Sequence, residues 1–259
     1  MNGQLTATLK RLSLIGGLLL LAAFIISAAQ HKRSRDARDV QIVVENLPNG
    51  RSLISKEDIL LTLERSFGHT LAGIPVGELD VGRVERVLEA DPFIFSADVY
   101  VDAENQVHIG IQQRQPVLRV IDRNGLNYYL DEFGEKLPLS KHFTARVLVA
   151  NGNIAPHVPD FQTRKRKHIL KDLFLLSKRI RQDEFLQPLV EQLHVNKKNE
   201  IILTPKIGKQ QIELGSLDDL EDKIFRLKTF YKEGMPYAGW NKYKNINLKF
   251  KGQIVCKKG

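Results

Sequence analysis

Apolar and polar residues alternate along this chain in short blocks, with one exception near its start. Leu12 to Ala29 (LSLIGGLLLLAAFIISAA) carries no charge and is interrupted only by Ser13 and Ser27. It is apolar on every side, so packing one face on a globular core does not account for it. As a helix it would be roughly 27 Å long at about 1.5 Å per residue, near the hydrocarbon thickness of a bilayer. Lys10 and Arg11 precede it, and Lys32, Arg33, Arg35 and Arg38 follow. Two readings fit the segment: an uncleaved anchor, or a secretory signal cut at the small residues Ser27-Ala28-Ala29. Its length favours the anchor. The flanking charge does not orient it, because more basic residues follow than precede, and long downstream domains translocate largely regardless of charge.

Gln30 to Asp39 is polar and reads as a linker. Val40 to Glu45 then predicts a strand, and Asn46 to Arg51 (NLPNGR) a turn. Ser55 with Asp58 predicts a capped helix whose apolar face is Ile59, Leu60 and Leu63, ending at Phe67-Gly68. A second helix is predicted from Leu79 to Ala90, with Val84, Val87 and Leu88 inward. Asp91-Pro92 stops it, because the residue before proline avoids helical geometry. Phe93 to Val101 and Val107 to Ile111 alternate with period two around the turn AENQ. Strand, helix, helix, strand, strand predicts a compact α+β unit with both helices on one face of a small sheet.

The remainder predicts a mixed α/β region built on an antiparallel sheet. Strands are expected at Pro116 to Ile121, Leu126 to Leu130, Arg146 to Ala150, Val190 to Val195, Glu200 to Thr204 and Gln210 to Leu214. The turns between them include DRNG at 122–125 and DEFG at 131–134. A helix is predicted from Arg164 to Arg181, with Ile169, Leu170, Leu173, Leu176 and Ile180 inward. Another is predicted behind Ser216 and Asp219, with the stripe Leu217, Leu220, Ile224, Leu227 and Tyr231. Asn245 to Phe250 and Gln253 to Cys256 close the chain as strands around Lys251-Gly252.

Composition changes this picture little. At 259 residues, with 42% hydrophobic and 27% charged, the chain has material for two small cores beyond the apolar segment. Its net charge of +9 fits nucleic acid, anionic lipid or another acidic polymer, or simply a solvated basic surface. Zinc-finger spacing, an aromatic RNA-binding signature and a basic leucine zipper are all missing. Thr163 to His168 (TRKRKH) is the densest basic patch, a lipid or acidic-partner contact or else a solvated helix face. The lone Cys256 excludes an internal disulfide.

Catalytic motifs are missing too: no phosphate-cradling loop, His-Glu-x-x-His, nucleophile elbow or paired-cysteine metal site. The sequence therefore predicts no enzyme, no cofactor and no metal. His108 and His194 read as structural, Asp131-Glu132 as a turn and Asp218-Asp219 as a helix start. The final strands are more suggestive. A last strand at a sheet edge leaves N–H and C=O groups for a partner's strand. Phe250, Ile254 and Val255 put apolar side chains there.

Several stretches together resemble the bacterial cell-division family FtsQ/DivIB. These are the Ser55-Lys56-Glu57-Asp58-Ile59-Leu60 helix start, the helix ending Asp91-Pro92-Phe93-Ile94, and Gln112-Gln113-Arg114-Gln115-Pro116-Val117. The last is similar to the family's Glu-Arg-x-Pro-hydrophobic boundary, with Gln113 where glutamate is usual. Tyr129 to Gly134 resembles its Val-Asp-x-x-Gly turn, and Ile212-Glu213-Leu214-Gly215 its C-terminal end. Asn247 to Lys257 looks like versions of the family in Bacteroidetes-type bacteria. The resemblance implies a cytoplasmic tail (1–11), a transmembrane helix (12–29), a linker (30–39), a POTRA domain (40–114) and an FtsQ-type β domain (115–259). It also implies a non-enzymatic divisome scaffold in the inner membrane, N-terminus in the cytoplasm and bulk in the periplasm, enriched at the division site. Its partners would be FtsB- and FtsL-type coiled-coil division proteins, bound through Lys249, Phe250, Gln253, Ile254 and Val255, with other division proteins on the POTRA domain. It would help recruit and control septal peptidoglycan synthesis. Two rival readings are a POTRA-bearing envelope-biogenesis protein that binds translocating polypeptides, and a secreted hydrolase released after Ala29.

Overall fold

The computed structural model describes residues 15–25, 27, 34–165, 168–240 and 242–259. The expected span Leu12 to Ala29 lies partly outside these. Its described part, 15–25 and 27, is helical, with Leu20 and Phe24 exposed. Among the described residues no helix is long and apolar enough to cross a membrane.

The chain forms two compact units, divided after Gln113. In the first, β1 (Val40–Val44) lies parallel to β3 (Val107–Gln113), and β2 (Ile94–Val101) pairs antiparallel with β3 on its other side. α1 (Lys56–Phe67) and α2 (Val81–Glu89) bury Ile59, Leu63, Val84 and Leu88 against Val107, Ile109 and Ile111. The local signals act as read. Ser55 and Asp58 form a reciprocal capping box, and Gly68 ends α1 in the left-handed region at φ 78°. The expected linker is shorter than its polarity indicated. Ala37 is buried, its N–H donates to Ile74 O, and its carbonyl accepts from Gly73. Backbone pairing with the 73–76 loop, which a polar composition does not exclude, makes 35–38 part of the unit.

Gln113 closes this unit from inside. Its Oε1 accepts from the Leu53 N–H (2.6 Å), and its Nε2 donates to Glu45 O (2.7 Å). A glutamate, the residue usual here in the resembled family, has no N–H for that carbonyl. Gln113→Glu is therefore expected to cost about 2 kcal/mol at neutral pH. The introduced acid would have a raised folded-state pKa, so the deficit should shrink as pH falls to about 4 and grow as pH rises. Urea melts at the two pH values check this.

The second unit holds a nine-stranded sheet in the order β12-β11-β10-β9-β8-β7-β4-β5-β6. Its strands are β4 (Pro116–Ile121), β5 (Asn127–Asp131), β6 (Lys136–Leu137), β7 (Leu148–Gly152), β8 (Val190–Val195), β9 (Ile201–Pro205), β10 (Gln211–Gly215), β11 (Tyr243–Asn247) and β12 (Val255–Lys258). The sheet is mixed, not the antiparallel one expected: β4 with β7, β7 with β8 and β10 with β11 are parallel. Parallel neighbours need a crossover. α3 (Ile169–Arg181) followed by the single turn α4 (Leu186–Leu189) supplies one. α5 (Leu220–Thr229), a π turn at Phe230–Gly234 and α6 (Met235–Ala238) supply a second, and β5, β6 and the segment 138–147 join β4 to β7. The two helical crossovers run the same way along the sheet, and right-handedness puts both helices on one face. Arg179 on α3 accordingly pairs with Glu221 on α5 (2.7 Å). Leu173, Phe174, Ile224 and Leu227 bury against Leu118, Ala150, Leu193 and Ile212.

Two helix starts differ from expectation. α3 begins at Ile169, not Arg164, with His168 Nδ1 accepting from the Leu170 N–H (3.3 Å). Asp160 draws the preceding residues into a turn of their own: its carbonyl accepts from Thr163 and Arg164, and its carboxylate pairs with Arg164. The basic patch thus precedes the helix, and Arg166 and Lys167 lie outside the described residues. α5 begins at Leu220 behind Asp219, at φ 52° and without a side-chain cap. Ser216 instead donates to Asp218 (2.6 Å).

Candidate functional site

β12 ends the sheet, so one of its sides has no strand neighbour among the described residues. Such an edge presents backbone donors and acceptors to an incoming strand. The predicted final pair forms with other bounds: β11 stops at Asn247 and β12 starts at Val255. Leu248 is fully buried, and its N–H donates to Glu213 O (2.9 Å). Asn247 Oδ1 then accepts from the Lys249 N–H (2.9 Å) and turns the chain away from the sheet. Four of the five expected residues therefore lie in the connection 248–254, and Val255 alone lies in the edge strand.

Their surroundings differ. Phe250, in the connection, is 48% exposed, and Val255, at the start of β12, 45%. Ile254 packs partly against the core. The Lys249 ammonium turns inward to Glu213 (3.1 Å) and Glu200 (3.3 Å). Its hydrogen bond to Glu213, and then that to Glu200, raises its pKa against the opposing effect of desolvation. Glu213 also accepts from Asn245 (2.8 Å) and Asn247 (2.9 Å). Lys249 thus ties the connection to β10. Cys256 is half-buried, and burial pushes its thiol pKa up, away from nucleophilic thiolate.

A residue that sequence reasoning missed fixes this geometry. Arg226 on α5 donates to the carbonyls of Leu248 (3.2 Å), Phe250 (3.0 Å) and Gln253, while its Nε pairs with Asp222 (2.8 Å). The rigid guanidinium fork suits convergent carbonyls that a lysine could not hold together. The only trace in the sequence is the Asp222–Arg226 spacing on one helix face. Between α5 and the connection runs an open groove of about 430 Å³, with Phe225, Phe230 and Ile254 among its walls. Phe225 is 69% exposed. Arg226→Met is expected to cost about 2 kcal/mol, since hydrogen bonds to charged groups contribute roughly 1.5–3 kcal/mol. Amide exchange across 249–254 should quicken, and urea melts with exchange mass spectrometry check both.

His108 and His194, expected to be structural, both have partners within their own sheets. His108 pairs with Asp102 (2.7 Å) and stacks on Tyr100, and His194 meets Asn151 (2.8 Å).

The family model described as FtsQ/DivIB, C-terminal related, matches residues 115–257, more than half of the chain. The chain belongs to the FtsQ/DivIB family. A POTRA-like domain model matches residues 35–112, the β1-α1-α2-β2-β3 unit. No curated protein matches the chain. Membership of FtsQ/DivIB points to a cell-division scaffold role with divisome proteins as partners, in a family that is generally non-enzymatic.

Proposed function

We propose that this FtsQ/DivIB chain is a non-enzymatic divisome scaffold that binds FtsB- and FtsL-type coiled-coil partners by strand addition to β12. Phe250, Gln253, Ile254 and Val255 form the entry to that edge, and Lys249 and Arg226 hold its shape. The observation that carries the reading is the outermost position of β12, flanked by exposed Phe250 and Val255 and by the apolar groove. Backbone pairing would supply affinity, and pockets for alternate side chains specificity.

In the same reading, Leu12 to Ala29 anchors the chain in the inner membrane, with the N-terminus in the cytoplasm, the POTRA domain (40–114) and β domain (115–259) in the periplasm, and enrichment at the division site. Tethering edge and partners to one membrane raises their effective concentration. The scaffold would thereby help recruit and control septal peptidoglycan synthesis, with other division proteins on the POTRA domain. Depletion should yield filamentous cells, and a fluorescent fusion should collect at midcell. Normal division with uniform envelope fluorescence would overturn the proposal in favour of envelope biogenesis.

A further inference from the structure

The second unit has a further concavity that strand addition does not use. β4, β7, β8, β10 and β11 all point the same way, because their pairings are parallel or separated by two antiparallel steps through β9. A cavity of about 630 Å³ opens at their carboxyl ends. Residues just past the strands line it: Arg123 after β4, Lys198 after β8, Ser216 after β10 and Lys249 after β11. Open α/β sheets bind their ligands at this end, where loops converge and helices begin.

The chemistry of the wall is specific. Among the described residues that line it, four cations, Arg123, Lys198, Lys223 and Lys249, stand with two carboxylates, Asp172 and Glu200. Lys249 and Glu200 satisfy each other, as described above. Lys223 is different. It is 6% exposed, and its ammonium donates to Ser216 O (2.9 Å). That is its one hydrogen bond among the described residues, where no carboxylate pairs with it. An ammonium carries three donors; the carboxylates of Asp218, Asp219 and Asp222 favour its charge electrostatically, but burial outweighs them. Burial accordingly lowers the pKa of Lys223. Arg123 and Lys198 stand exposed at the mouth. The volume suits an organic molecule better than a bare ion.

We propose that this cavity binds a small organic anion through a phosphate or carboxylate group, with the Lys223 ammonium as the inner contact and Arg123 and Lys198 closing over it. The site lies at the carboxyl end of the sheet rather than on the β12 strand, shares Lys249 with the connection to that strand, and does not rest on strand addition. Full-length protein in detergent should be titrated calorimetrically with pyrophosphate and with citrate at constant ionic strength. One saturable site is expected, with the tighter probe distinguishing phosphate from carboxylate chemistry. Lys223→Met should weaken it on the order of tenfold. Its unliganded Tm should hold or rise, because an apolar chain of similar length replaces the buried charge. Combined Arg123→Ala and Lys198→Ala should weaken binding several-fold without touching the fold, and decides the matter if Lys223→Met misfolds. No saturable binding of either probe by the parent, or affinity unchanged in the variants, would overturn the proposal.

Discussion

A full-length chain carrying Phe250→Asp and Val255→Asp is expected to lose an FtsB-type partner almost completely, by about a hundredfold or more in calorimetric titration. Buried apolar anchors at the centre of an interface commonly contribute 2 kcal/mol or more each. Both side chains are about half exposed in the free protein, so the substitutions remove little internal packing. The urea midpoint should therefore stay close to the parent's, since surface changes usually lie within about 0.5 kcal/mol. Each aspartate would also bring an uncompensated charge into the interface, and that penalty adds to the lost contact. Unchanged affinity of a folded double variant would remove these residues from the binding surface.

Asp183→Ala is expected to have the largest effect on stability. Asp183 sits between α3 and α4, and its side chain is 5% exposed. Its carboxylate pairs with Arg179 on α3 (2.8 Å) and with Lys228 on α5 (2.6 Å). It also accepts from the N–H groups of Phe185 and Leu186, both at 3.1 Å. Burial alone would raise its pKa, but hydrogen bonds from Lys228, Arg179 and the two amides outweigh it and hold the carboxyl well below the usual range. Truncation leaves two amides and the Lys228 ammonium without this acceptor, while Arg179 keeps Glu221, a loss of about 3 kcal/mol. Asp183→Asn should recover part of it, because the amide oxygen still caps α4. A depressed folded-state pKa gives stability that is fully present above the ordinary carboxylate value and lost as pH falls toward the folded one. The parent should therefore lose stability below about pH 4, and Asp183→Ala should show a flatter acid limb. Calorimetric melts across that range test both the size and the sign.

The elements legible in the sequence are those whose causes are local. Ser55 and Asp58 announced α1 because the capping box spans only four residues. The strand turns are local too. Asp102, Asp122, Asp131 and Asn196 each accept from the amides two and four residues on. In each case the residue three places on, Asn105, Gly125, Gly134 or Asn199, has positive φ. These four turns share one local device, a carboxylate or amide oxygen that gathers the amides just after it. What sequence could not show depends on distant partners. Parallel pairing follows from where the crossover helices land, which periodicity does not encode. Ser216 looked like a helix cap, yet its hydroxyl found Asp218 first. Arg226 gave no sign of holding carbonyls more than twenty residues ahead. At the candidate site, apolar Phe250 and Val255 were legible, whereas the inward turn of Lys249 needed Glu200 and Glu213 brought beside it by the sheet.

The most direct test of strand addition is amide hydrogen exchange at Val255 to Lys258 in the full-length chain, with and without an FtsB-type peptide. Pairing on the outer side of β12 gives its free amides an acceptor, so exchange there should slow markedly when the peptide is bound. A complex that forms while these amides exchange at the free rate, with protection elsewhere, would contradict it.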